Sequence, residues 1–266
     1  VSSATITTEL MSMPAILPES SLLLLVHAPD LDGDSRRMRA VIHALEHALP
    51  GLHLDWTRSE AEGIQPLSQR DAWLDEAAED GELPALCNGD EDHLVTLSGW
   101  ERAGHLSPGN EPLFELHLEL PLDTRGIAMA GRLLEAMAES SRAWWGRVLT
   151  SRTVVELSRQ VRRHWQDAPE PPRGLPVLEP LEMTPTPVVP HHLGWVNYWS
   201  AATVQRLGFP DPSRDAELLT RSRQTAFGGW LVRLTDAPLD LDDPAHLDVL
   251  RRTYARFPAI GGRAAP

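Results

Sequence analysis

Ser21-Leu22-Leu23-Leu24-Leu25-Val26-His27-Ala28, closed by Pro29, is the stretch from which the fold can be read. An apolar run of this length, ended by proline, reads as a buried strand. It is far too short to span a bilayer, and it lacks the basic flank and small-residue cleavage site of a secretory signal. Just downstream, Asp34 is placed to cap a helix whose Met38, Val41, Ile42, Leu45 and Leu49 recur on one face, and Pro50-Gly51 stops it. A short strand is expected over 52–56. Ser68-Gln69-Arg70-Asp71 has the form of a capping box opening a helix to about Asp80. Strands are expected over 93–100 and over 113–120, where residues 114, 116, 118 and 120 are apolar.

Further along, Ile127, Leu133, Leu134, Met137, Trp144 and Trp145 predict a long helix over 126–148. Val154, Leu157, Val161 and Trp165 predict another over 151–165. Residues 168–190 are proline-rich and aperiodic, and read as an extended crossover linker. The remainder reads as strand (194–199), helix, strand (229–235) and a helix opened by Asp243-Pro244, with Leu247, Leu250, Tyr254 and Phe257 on its core face. The order implies an α+β fold: a mixed, largely antiparallel sheet packed with helices, ferredoxin-like in its first part, followed by a β-α-β-α lobe. The expected division is a disordered extension (1–18), an N-terminal α+β lobe (19–167), the crossover (168–190) and a C-terminal lobe (191–266).

The 38 carboxylates outnumber 24 basic residues, all of them arginine, for a net charge of −14. Such a chain is repelled by nucleic acid and anionic membranes and attracted to basic partners. Without lysine there is no Schiff-base or P-loop lysine chemistry. The single cysteine, Cys87, excludes an intrachain disulfide and fits a reducing cytoplasm. A cytoplasmic protein that binds another protein is the expectation, with a homodimer left open.

His43-Ala44-Leu45-Glu46-His47 matches the H-x-x-E-H pattern of zinc hydrolases. At about 100° per residue, however, His43 and His47 fall opposite the apolar face, toward solvent. They are expected to bind no metal, and no cofactor is expected. His191-His192, after the crossover, reads as polar surface. Asp71, Asp75, Glu76, Glu79, Asp80, Glu82, Asp90, Glu91 and Asp92 follow one another with no arginine among them. From this run Asp75, Glu79, Asp80, Asp90, Glu91 and Asp92 are the candidate contacts for a basic partner. Carboxylates at 79 and 80 oppose the helix macrodipole, so local stability does not account for them. The alternating Trp195-Val196-Asn197-Tyr198-Trp199 adds Trp195 and Trp199 as a candidate exposed contact face.

The C-terminal series Gly194-Trp195-Val196-Asn197-Tyr198-Trp199-Ser200, Leu207-Gly208-Phe209-Pro210, Gly228 to Asp236 and Asp243-Pro244-Ala245-His246-Leu247 resembles bacterial immunity proteins of polymorphic toxin systems. The likeness is to immunity protein family fifty-two and related type VI secretion antitoxins. Pro66-Leu67-Ser68 and Ala143-Trp144-Trp145-Gly146 are compatible with it. The resemblance implies an α+β antitoxin that silences a cognate effector, a nuclease among the candidates, and it supplies no catalytic residues. A metal-dependent hydrolase using His43, Glu46 and His47, or an adaptor of a secretion apparatus, are the alternatives.

Overall fold

The computed structural model describes residues 20–59, 63–161 and 172–263; the expected extension at 1–18 and Trp165 lie outside them. The leucine run forms β1 (Ser21–Pro29) at the centre of a ten-stranded, wholly antiparallel sheet. Its neighbours are β6 (Leu113–Pro121) and β7 (Trp145–Thr150), and β5 (Thr96–Arg102) lies beyond β6. With α1 (Ser35–Ala48) and α3 (Thr124–Ser140) inserted in the chain, this β7-β1-β6-β5 order is the split βαβ arrangement of ferredoxin-like folds. The sequence cadence therefore holds.

One edge is extended by β4 (Glu82–Cys87), β2 (Trp56–Ser59) and β3 (Gly63–Pro66). The other is extended by β8 (Val196–Trp199), β10 (Trp230–Arg233) and β9 (Arg223–Gln224). The sheet runs unbroken from the expected first lobe into the second, because β7 pairs directly with β8.

Side chains alternate across this sheet, so register decides what each face carries. Leu22, Leu24, Val26 and Ala28 share a face with Leu120, Leu118, Leu116 and Phe114 of β6, under α1 and α3. On β7 this face carries Gly146, where a Cβ would lie 3.0 Å from Leu134 of α3 and 2.9 Å from the Leu25 carbonyl oxygen. Only glycine admits the helix so close. Met38, Val41, Ile42 and Leu45 of α1 are buried as the helical spacing predicts. The Asp123 carboxylate starts α3 by accepting from Gly126 N–H at 2.6 Å.

The opposite face is covered by α4 (Ser151–Ser158), the crossover and α7 (Pro244–Arg256), with α5 (Ala201–Leu207) and the short α6 (Ala216–Leu219) on the C-terminal side. α7 begins as predicted: Asp243 accepts from Ala245 N–H, with Pro244 in the first turn. Within the crossover, Leu175, Leu178, Leu181 and Val189 are buried. Leu178 N–H donates to Gln160, Glu179 N–H donates to Gly261, and Trp145 Nε1 donates to the Pro187 carbonyl. The prolines, lacking an N–H, keep the segment out of regular ladders, yet its buried apolar residues seal the core.

Several expected boundaries are corrected. The long helix ends at Ser140, because Arg142 turns the chain at φ 59°, and Trp145 starts a strand. α4 stops at Ser158, and Val161 bridges Leu178. The Leu52 segment becomes strand only at Trp56, as half of a hairpin. Asp34 sits at the N-cap of α1 as expected, though its carboxylate bonds Arg36 rather than a helix N–H, and α2 (Arg70–Glu79) has Gln69 rather than Ser68 at its N-cap, without a side-chain bond.

Candidate functional site

The exposed carboxylates divide into two groups. α2 leads through Gly81, at φ 69°, into β4, and β4 ends at the loop carrying Asp90, Glu91 and Asp92. Six strand residues, roughly 20 Å, therefore separate Glu79, Asp80 and Glu82 at one end from Asp90–Asp92 at the other. Glu79, Asp80, Glu91 and Asp92 are exposed, as expected. Asp75 instead bonds Arg39 at 2.7 Å and ties α2 to α1. Asp90 accepts from the Asp92 and His93 N–H groups and so shapes its own loop.

Trp195 and Trp199 do not form a contact face. They are 1% and 0% exposed. Trp195 Nε1 donates to the Thr235 carbonyl at 2.8 Å, and Trp199 packs edge-on against Phe209 and Phe257 at 5.2 and 5.1 Å. Alternation at 195–199 reflects two covered faces rather than one wet one.

His43 and His47 are exposed, as the helix geometry predicts. Glu46 Oε1 accepts from Arg70 at 2.6 Å and from Leu54 N–H at 3.0 Å, tying α1 to the chain beyond it, while Oε2 lies 3.7 Å from His43 Nδ1. Among the described residues no group of three or more His, Cys, Asp or Glu side chains is arranged to hold a metal. No helix among them is long and apolar enough to cross a membrane.

The polar feature that the sequence did not reveal lies on the face beneath the crossover. β1 contributes His27, β6 contributes Glu115 and His117, β5 contributes Arg102, and β7 contributes Arg147. His191 and His192, expected at the surface, are buried above them. Glu115 is the hub: it lies 2.7 Å from His117 Nε2 and 3.1 Å from Arg102. Burial pushes its carboxyl up, but facing His27, the His117 bond and Arg102 outweigh this and hold it well below the usual carboxylate range. His27 stacks on Trp145 with ring centroids 3.9 Å apart, and burial lowers its pKa to about 3. His191 donates from Nε2 to the Glu179 carbonyl at 2.6 Å, and burial lowers it to about 4. Burial also pulls His192 well below its usual range, with the Arg147 charge the next cause. These imidazoles are neutral at pH 7.

A family model described as "Domain of unknown function (DUF5953)" matches residues 33–265. The chain belongs to this family. No curated protein matches this chain. Among solved structures, the fold is similar to "Pseudomonas aeruginosa T6SS protein PA0821", with a TM-score of 0.52 and 17% identity, over 95% of this chain and 81% of that one. At this identity the likeness is one of fold. The DUF5953 match takes in the polar layer from Arg102 to His192 and both acidic groups, while β1 with His27 precedes it.

Proposed function

We propose that this protein binds and neutralises an effector of a type VI secretion system, as a cytoplasmic immunity protein acting by stoichiometric complex rather than by catalysis. The observation that carries the reading is the fold shared along 95% of the chain with a protein titled as belonging to that system. The net charge of −14 and the two exposed acidic groups support a basic partner surface, as a nuclease effector would present. The anchoring of Glu46 Oε1 by Arg70 and Leu54 N–H fits a structural role for this carboxylate better than a hydrolase centred on His43 and His47. The test is co-purification with the product of the neighbouring gene, followed by growth rescue. Toxicity of the neighbour alone, relieved by this protein in a stable complex, is the expected result. A neighbour that is harmless, or toxic but neither bound nor relieved, refutes the reading.

A further inference from the structure

Arg147 projects from β7 beneath the crossover, level with Leu25 of β1 and Asn197 of β8. Its Nε and Nη1 are buried and have no acceptor among the described residues, while the residue as a whole keeps some exposure. Burial brings its pKa down to about 10, so it remains charged at neutral pH. The buried carboxylate on this face, Glu115, stands two strands away and is already engaged by His117 and Arg102. Arg102 is paired with that carboxylate, whereas Arg147 makes no ion pair among the described residues. Asn197 cannot help, because its amide is spent on Gly194 and the Val232 carbonyl. A guanidinium taken out of water without a counter-ion or acceptors is strongly unfavourable.

We propose that Arg147 is the floor of an anion-binding site that takes one small oxyanion or carboxylate. The two unmet groups, Nε and Nη1, each offer a charged donor to an oxygen of such a ligand. His192 lies over the same face as a buried, neutral imidazole, its ring bonded to the Leu157 backbone. The partial exposure of Arg147 supplies access. The site stands independently of the immunity reading.

The test uses the full chain at constant ionic strength. Inorganic phosphate and, separately, acetate are titrated while the thermal midpoint and the arginine Nε–H resonances are followed. A saturable rise in midpoint is expected, with one exchange-protected Nε–H signal shifting in step. Affinity should fall at least tenfold in Arg147→Met and stay unchanged in Arg206→Gln, an exposed control on α5. A response to phosphate alone identifies an oxyanion site; a response to both identifies one that also accepts carboxylates. If neither anion moves the midpoint or the protected signal, or if Arg147→Met responds like the parent, the proposal is overturned and water satisfies these donors. The resonance readout on the parent chain decides the matter even if Arg147→Met fails to fold.

Discussion

Acidification should destabilise this protein before most of its carboxylates titrate. His27 and His191 have folded pKa values of about 3 and about 4, against an ordinary 6.5. Below pH 6.5 the unfolded chain binds protons at these rings while the folded chain does not, so stability is complete above that pH and is lost as pH falls toward 4. At pH 5 each ring lies about 1.5 units below its unfolded pKa, which corresponds to roughly 2 kcal/mol. The two together remove about 4 kcal/mol, and His192, shifted the same way, adds to the loss. Against a total stability of about 5–15 kcal/mol this is a large fraction. Urea denaturation at pH 7.5, 6.5, 5.5 and 5.0 measures it directly. Between pH 6 and 5 the free energy of unfolding should fall by roughly 3–4 kcal/mol, and His27→Gln should remove about one proton's share of that slope. A slope below about 1.4 kcal/mol per unit, one proton's worth, would refute the claim that these rings are buried and neutral.

Three further outcomes are expected. Arg256 bonds the buried Asp215 at 2.7 and 3.0 Å, so Arg256→Ala strands a carboxylate and should cost about 3–5 kcal/mol by urea melt, whereas Asp215→Asn with Arg256 retained should cost less. Gly146→Ala places a methyl against the Leu25 carbonyl and Leu134, which should cost about 1–3 kcal/mol and lower the thermal midpoint. Neutralising Glu79 and Asp80 in one variant and Asp90, Glu91 and Asp92 in another should slow effector association and flatten its salt dependence for whichever group faces the partner. Since the groups lie at opposite ends of β4, equal effects from both would require a partner spanning the strand's length.

The elements legible in the sequence are those whose apolar pattern has one interpretation. The leucine run, the striped α1 and the Asp243-Pro244 start of α7 all sit where the residues place them. β4 was hidden because Glu82 and Pro84 interrupt it inside an acidic stretch, and the structure absorbs the proline at a register shift between Leu83 and Leu86. β7 was hidden because Trp144 and Trp145 continue the helical spacing of α3 beyond its end. Only the backbone turn at Arg142 separates the two. The buried polar layer could not be read at all: Leu-His-Leu-Glu in β6 is the pattern of a half-wet strand, and nothing local announces that a proline-rich segment will cover its polar side.

The placement of β1 carries a consequence for synthesis. Its two partners are made about a hundred residues later, on β6 and β7. At about 5–20 residues per second, the leucine run waits roughly 5–25 s on the ribosome before either edge can be paired. A contact order this high implies slow folding, and during that interval the strand is a six- to eight-residue segment of strong β-propensity with no charge to deter self-association. The strand that organises the finished sheet is thus also the nascent chain's chief aggregation hazard, and expression at low temperature or with added chaperone should raise its soluble yield.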